Sequence, residues 1–205
     1  LTTSQIANLT STDLNALTSS QMGALTSAQV TALSSSPLIS SLGTEDLNAL
    51  GTAQFAAMSS VQAAGLTSAQ IGSLESQDLR ALTSTVLRSL TTAQIDALTS
   101  TQMGQLTTAQ VAALTTEQVS SLSTTDLNAM GTAQFAAMTS LQAQALTTAQ
   151  IGTLETEDLR SLSSANLRAM STAQIDALTS DQMSYLSTAQ VASLTTSQIT
   201  NLTST

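Results

Sequence analysis

Hydroxyl groups are the most numerous reactive side chains in this sequence, because Ser and Thr recur every few residues from Thr2 onward. A hydroxyl becomes a useful nucleophile only when a neighbouring base accepts its proton, and His and Lys are the usual bases. The chain contains no His, no Lys and no Cys, so imidazole, amine and thiol chemistry are missing as well. We therefore expect no catalytic residue, no cofactor-binding residue and no enzymatic activity.

Acidic side chains form one cluster that could ligate a metal ion. Glu155, Glu157 and Asp158 lie close together in the sequence, and carboxylate oxygens are ligands that Ca²⁺ prefers. The cluster lacks the glycine-bearing spacing of a calcium-binding loop, and Asp158 also suits the start of a helix. We therefore predict no metal-binding residue.

The hydroxyl and the acidic side chains both belong to an eight-residue repeat. It runs from Thr2 to Leu202 and is interrupted by one nine-residue unit, 34–42, which contains Pro37. In the octad TTAQIDAL at 91–98, position one is Thr, position four is Gln, and positions five and eight are apolar. The predicted structural spine at positions five and eight includes Ile95, Leu98, Met103, Leu106, Val111, Leu114, Phe135 and Met138.

Each octad also carries a signal for the start of a helix. A Ser or Thr followed three residues later by Gln is the capping-box pattern, in which each side chain bonds the backbone amide of the other residue. We predict that Thr91 and Gln94 cap one helix and that Thr107 and Gln110 cap another. Because the next signal arrives eight residues later, every helix must be short.

These features predict an all-α solenoid of very short helices, one per octad. Isolated helices of fewer than about 12 residues are marginal in water, so neighbouring octads must stack around a shared core. A β-solenoid remains the alternative, although positions five and eight would then face opposite sides of a strand. We expect position six, which holds small, polar or charged residues, to be exposed.

The repeat also has a higher order. We expect 1–205 to form one continuous array and to be a window of a longer chain. The octad GTAQFAAM at 51–58 recurs at 131–138, which indicates two 80-residue super-repeats, 43–122 and 123–202. A 40-residue rhythm in the octads with Thr-Ala-Gln or Ser-Ala-Gln reflects either duplication or a solenoid turn of five, or of two and a half, octads.

Charge and hydropathy exclude some classes of binding partner. The net charge of −9 argues against binding to nucleic acid and to anionic membrane surfaces. No apolar run reaches about 18 residues, so we expect no membrane insertion. Only 8% of the residues are charged, against about 25% in ordinary domains. Such a Ser/Thr surface suits O-glycosylation and close packing against copies of the chain or its neighbouring segments.

Octads such as TTAQVAAL at 107–114 and STAQVASL at 187–194 resemble repeats of very large bacterial secreted or surface proteins of the adhesin or exoprotein type. The resemblance implies a bacterial extracellular location and a role as a stalk, spacer or self-associating filament. The residues themselves leave an alternative open. A regular array of hydroxyls suits a surface-binding adhesin that recognises a polysaccharide or ice.

Overall fold

The computed structural model describes residues 1–33 and 36–202, apart from the side chains of Ser36 and Pro37. Within these residues the chain contains no strand, and each repeat unit forms one helix of five or six residues. The prediction of an all-α solenoid of short helices is therefore confirmed, and the β-solenoid alternative is wrong. The nine-residue unit also yields a single helix, although Ser34 and Ser35 lie outside the described residues.

The helices divide between two compact units, Leu1–Leu106 and Thr107–Thr205. The first unit contains α1 Thr3–Ala7, α2 Ser11–Asn15, α3 Ser19–Gly23, α4 Ser27–Ala32, α5 Ser36–Ser40, α6 Thr44–Asn48, α7 Thr52–Ala56, α8 Ser60–Ala64, α9 Ser68–Ser73, α10 Ser76–Ala81, α11 Ser84–Arg88, α12 Thr92–Asp96 and α13 Ser100–Gln105. The second contains α14 Thr108–Ala113, α15 Thr116–Ser121, α16 Thr124–Asn128, α17 Thr132–Ala136, α18 Ser140–Ala145, α19 Thr148–Thr153, α20 Thr156–Ser161, α21 Ser164–Ala169, α22 Thr172–Asp176, α23 Ser180–Tyr185, α24 Thr188–Ser193 and α25 Thr196–Thr200.

The ends of each helix are set by positions one and eight. Thr91 has an extended backbone and is the N-cap of α12, because its hydroxyl accepts a hydrogen bond from the amide of Gln94. At the other end, the amide of Leu98 donates to the carbonyl of Ile95 at 3.1 Å and tightens the last turn. Such bonds satisfy backbone groups that a helix end leaves without partners. The next octad then begins with another capping hydroxyl.

In the first unit, each helix packs against the helix three positions later, from α1 on α4 to α10 on α13. Side-chain hydrogen bonds also join octads that are four apart, such as the bond from Gln94 Nε2 to the Leu66 carbonyl. A turn of this solenoid therefore takes between three and four octads.

The second unit repeats this arrangement. Its helices pack at the same spacing, from α14 on α17 to α22 on α25, and Gln174 Nε2 donates to the Leu146 carbonyl four octads earlier. A turn of five octads, or of two and a half, is therefore wrong for both units.

The core of each unit is the interior of the solenoid, which positions five and eight fill. Most Leu, Ile, Val, Met and Phe side chains at these positions are removed from water, apart from ones such as Val191 and Ile199, which are 44% and 46% exposed. Each fully buried one contributes about 1.5–3 kcal/mol of hydrophobic stabilisation. The eight spine residues named from the sequence are all at most 5% exposed: Ile95, Leu98, Met103, Leu106, Val111, Leu114, Phe135 and Met138.

Position six is more varied than the sequence suggested. Arg80 and Arg88 at this position are exposed, as expected for charged residues. In other octads, position six faces the next turn of the solenoid, and there the expectation of exposure is wrong. A Cβ atom on Gly72 would lie 2.8 Å from the Ala97 carbonyl oxygen, three octads later. Asn48 donates from Nδ2 to the Ser73 carbonyl at 2.8 Å across the same interval.

This close approach predicts that Gly72→Ala destabilises the first unit by about 1–3 kcal/mol, the usual cost of overpacking. Denaturant unfolding followed by circular dichroism measures the effect. Gly152→Ala is the matched control, because its Cβ would lie at an ordinary 3.4 Å from the Ala177 carbonyl oxygen. That variant should be neutral or more stable by up to about 1 kcal/mol, since Ala favours helices over Gly. Equal effects at both positions would contradict the close approach.

Candidate functional site

The side chain at position four makes two sets of hydrogen bonds at once. In α12, Gln94 Oε1 accepts from the amide of Thr91 at 2.8 Å and thereby completes the capping box. The other end of the same amide group, Nε2, donates to the carbonyls of Ala63 at 3.0 Å and Leu66 at 2.6 Å. One buried side chain therefore starts its own helix and joins it to the octad four places earlier.

The acceptors of these bonds belong to helix C-terminal ends. Ala63 and Leu66 occupy positions five and eight of their octad; the Ala63 carbonyl already accepts from the Leu66 amide at 3.1 Å and takes the Gln bond as a further one, whereas the Leu66 carbonyl lies beyond the end of the helix. The Gln amide can bond both ends at once, because it carries both a carbonyl oxygen and two N–H groups. We call this set of contacts the interlayer clamp. It recurs at Gln62, Gln70, Gln94 and Gln102 in the first unit and at Gln142, Gln150, Gln174, Gln182, Gln190 and Gln198 in the second.

The other cap named from the sequence has the same local geometry. Thr107 donates its amide to Gln110 Oε1 at 2.9 Å, and the amide of Gln110 donates to the Thr107 hydroxyl at 3.1 Å. Sequence reasoning identified this capping role and missed the clamp. The signal was present, because Glu satisfies a capping box as well as Gln does, yet position four never holds Glu. Only an amide offers the N–H groups that the neighbouring carbonyls require.

Four octads place other side chains at a buried position four, and one of these is Val86, which offers no hydrogen-bonding group. Asn166 Nδ2 donates to the Met138 carbonyl at 2.9 Å, so a side chain one methylene shorter than Gln still reaches the position-eight acceptor. Asp78 and Asp158 are buried in the same place, at 2% and 4% exposure. An ionised carboxyl accepts hydrogen bonds and donates none, so these two octads lack the usual N–H donor.

Burial changes the acidity of these two carboxyls. Loss of hydration disfavours the charged form and raises the pKa of Asp78 to about 6, with a further contribution from the negative charge of Glu75. The pKa of Asp158 is likewise raised to about 6, by burial first and then by Glu155 and Glu157. Asp13, at an exposed position four, behaves oppositely, because hydrogen bonds from the Thr10 hydroxyl and backbone lower its pKa.

The acidic cluster near residue 155 does not converge on one point. Asp158 is buried, whereas Glu155 and Glu157 are exposed. Among the residues that the structure describes, no three His, Cys, Asp or Glu side chains are grouped so that they could hold a metal ion. In the same part of the chain, no helix has the length and apolar character needed to span a membrane.

The capping hydroxyl of an octad is bonded to a backbone amide of the same octad. The hydroxyls of Thr91, Thr107 and Ser171 each accept a hydrogen bond from the amide three residues later. Their immediate partners are backbone amides and Gln side chains, neither of which removes a proton near neutral pH. This geometry stabilises helix ends.

Short capped helices, a buried apolar spine and the interlayer clamp define an all-α solenoid that is built from octads. The chain belongs to the ALTTAQ repeat family, whose model matches residues 1–35, 39–76, 71–108, 121–156 and 151–188. No curated protein matches the chain. Membership of a repeat family indicates a structural repeat role.

The clamp predicts that Gln94→Glu destabilises the first unit at neutral pH. The new carboxylate keeps the acceptor for Thr91 but places a negative charge against the carbonyls of Ala63 and Leu66. Leaving buried polar groups unpaired costs about 1–3 kcal/mol, and more when they are charged. Thermal unfolding at neutral pH measures this loss.

Gln21→Glu is the matched control for this substitution. Gln21 is exposed and its Oε1 accepts from the Thr18 amide in an equivalent capping box. The control variant should retain nearly all of the parent stability. Equal losses in the two variants would contradict the clamp as a source of stability.

Proposed function

We propose that this chain is the repeat segment of a bacterial extracellular protein, where it serves as a stalk or spacer and associates with copies of itself or with neighbouring segments. The observation that carries the proposal is the interlayer clamp, because it ties each turn to the next without a ligand, metal ion or disulfide. In a solenoid, stability is close to a sum of such neighbour contacts. A structure of this kind can be lengthened by adding units, which suits a spacer.

The clamp also supports a mechanical role. Gln70, for example, joins its octad to the carbonyls of Ile39 and Leu42 in the preceding turn at 2.9 and 2.8 Å. A force that separates two turns must break these bonds and expose the apolar spine together. Because each turn carries its own clamps, resistance is distributed along a unit rather than concentrated at one contact.

Self-association is supported by the character of the surface. With 8% charged residues, the chain has little electrostatic repulsion to prevent contact between copies, apart from its net charge. Exposed Ser and Thr hydroxyls can form hydrogen bonds between chains, and they are also acceptors for O-linked sugar. The extracellular location rests on the resemblance of the octads to repeats of secreted and surface proteins.

A hydroxyl-array adhesin is the weaker candidate. The Thr and Ser hydroxyls at position one are used in capping, as at Thr91 and Ser171. Some position-two hydroxyls bond to the next turn, and Ser27 Oγ donates to the Ala53 carbonyl at 3.0 Å. Hydroxyls that are already bonded inside the fold are poor ligands for polysaccharide or ice. We likewise propose that the chain is not an enzyme, because it contains no His or Lys, and a hydroxyl that does bond a carboxylate, such as Ser123 with Asp126, is the cap of a helix.

The stalk proposal predicts measurable resistance to force. When a single chain is pulled between its two ends, it should extend in successive small steps as turns separate, and Gln94→Glu should lower the force of the affected step at neutral pH. Gln21→Glu provides the control and should leave the force profile unchanged. Extension without steps or resistance would contradict a load-bearing role.

Self-association needs a separate measurement. Sedimentation velocity over a range of protein concentrations should detect larger species at high concentration, and electron microscopy should then image the assemblies. A monomer at every concentration would contradict the self-association part of the proposal. Thermal hysteresis in a cooled solution would instead favour the hydroxyl array over the stalk.

A further inference from the structure

We propose that Asp78 and Asp158 are proton-operated clamps, which bind the fourth preceding octad when their carboxyls are protonated and release it when they ionise. Each unit of the solenoid would thus contain one turn whose cohesion depends on pH. This property is independent of whether the chain acts as a stalk. It concerns the only two buried carboxyls at position four among the described residues.

The repeat identifies the acceptors. Gln94 donates to the carbonyls 28 and 31 residues before it, and Gln102, Gln142 and Gln182 do the same. At the same offsets, Asp78 corresponds to the carbonyls of Leu50 and Leu47, and Asp158 to those of Met130 and Leu127. A protonated carboxyl has one O–H donor. An ionised one would place a negative charge against carbonyl oxygens.

Asn166 demonstrates that an aspartate-sized side chain can make the bond. Asn and Asp have the same length and shape, and Asn166 is 2% exposed at its own position four. Its Nδ2 donates across 28 residues to the Met138 carbonyl at 2.9 Å. The O–H of a protonated Asp78 would therefore reach the equivalent carbonyl of Leu50 without a longer side chain.

Unpaired buried acceptors mark the same two places. Oδ1 of Asp78 is buried and has no hydrogen-bond partner among the described residues, and the same holds for Oδ1 of Asn48 and of Asn128. Asn48 lies in the octad that would receive Asp78, and Asn128 lies in the octad that would receive Asp158. Buried polar atoms are nearly always paired in folded proteins. Protonation would convert the unpaired carboxyl oxygen of Asp78 into a donor, for which the Leu50 carbonyl is the acceptor named above.

The other position-four carboxyls differ in their surroundings. Asp46 is half-buried, and its Oδ1 accepts a hydrogen bond from the Ser19 hydroxyl at 2.8 Å. Asp126 is also half-buried, and its Oδ2 accepts from the Ser123 hydroxyl at 2.6 Å. Asp13 is exposed and accepts from Thr10. Each of these three carboxyls accepts a hydrogen bond from a hydroxyl and none is fully buried, so the proposal is restricted to Asp78 and Asp158.

Charges near Asp78 oppose its ionisation. The helices packed against α10 are α7 and α13, and neither contains a titratable residue. The octad that would receive Asp78 contributes Glu45 and Asp46, and its own octad contributes Glu75 and the exposed Arg80.

The surroundings of Asp158 are similar. Helix α17 has no titratable residue, and α23 contributes Asp181 and Tyr185. The receiving octad contributes Asp126, and the octad of Asp158 itself contributes Glu155, Glu157 and Arg160. In both surroundings negative groups outnumber positive ones, which favours the neutral carboxyl.

A proton fits these sites better than a metal ion. Ca²⁺ takes six to eight oxygen ligands, usually with several carboxylates. Each site offers one buried carboxyl, and in the described part of the chain no three acidic side chains are grouped.

The direction of the pH effect follows from linkage. The folded pKa of each carboxyl, about 6, lies above the ordinary value of 3.8. The contribution of the two protonated carboxyls to the free energy of unfolding is therefore complete below about pH 4 and is lost progressively as the pH rises to about 6. Above that pH the free energy of unfolding no longer changes through these groups. The solenoid should be more cohesive in mild acid than at neutral pH.

The test compares thermal unfolding of the parent chain and of the double variant Asp78→Asn, Asp158→Asn at about pH 4 and about pH 7. Because Asn donates at any pH, the variant should have a higher melting temperature at neutral pH and a smaller fall between the two pH values. The double variant Asp96→Asn, Glu117→Gln is the control, since it removes one exposed charge from each unit and should follow the parent. Identical profiles for the parent and the Asn variant would overturn the proposal.

Two further measurements separate the mechanism from its alternatives. Carboxyl carbon NMR should locate the titration of both aspartates near pH 6, and a midpoint near the ordinary 3.8 would overturn the proposal. Addition of CaCl₂ at neutral pH should not raise the melting temperature of the parent above that of the Asn variant. A calcium-dependent rise in melting temperature that is confined to the parent would overturn the proposal, because it would show that these carboxyls bind a cation rather than a proton. Asn166→Asp should create a third pH-dependent site.

Discussion

The hydrogen bonds of the buried amide at position four hold this solenoid together. A helix leaves four amides and four carbonyls unpaired at its ends, so a helix of five residues consists almost entirely of ends. The capping hydroxyl at position one and Oε1 of the Gln satisfy the amide end, as at Thr91 and Gln94. Nε2 of the same Gln satisfies the carbonyl end of another octad. Without this double use, stacking the octads would bury unpaired polar groups.

The apolar spine and the clamp depend on each other. Ile95 is fully buried next to Gln94 in the sequence, and burial removes the water that would otherwise compete for the amide. A hydrogen bond gains strength when water is excluded, but an unpaired group there becomes costly. The spine therefore makes the clamp effective, and the clamp makes the spine possible. This coupling explains why one change of side chain at position four, from amide to carboxyl, can convert a permanent contact into one that depends on protonation.

The sequence predicts the local structure well, because its signals act within a single octad. The capping pair Thr91 and Gln94 and the spine residue Ile95 are all separated by four residues or fewer. The spacing of three and four octads between neighbours is not encoded in such a pattern, since it depends on how successive corners turn the chain. The same limit hid the close approach of Gly72 to Ala97 and the burial of Asp78. The persistent choice of Gln over Glu at position four is the one local sign of the longer-range contact.

The acceptors of the clamp are backbone carbonyls, and every octad offers them whatever its side chains are. Recognition between turns is therefore generic, and one octad can replace another as a partner. A gene that encodes such an array can gain or lose units by unequal recombination without compensating substitutions elsewhere. The proposed clamps at Asp78 and Asp158 differ only in their donor, because a carboxyl donates to such a carbonyl only while it holds a proton. An array that gains or loses octads would therefore keep its fold, and its response to pH would follow the number of octads that carry a buried Asp at position four.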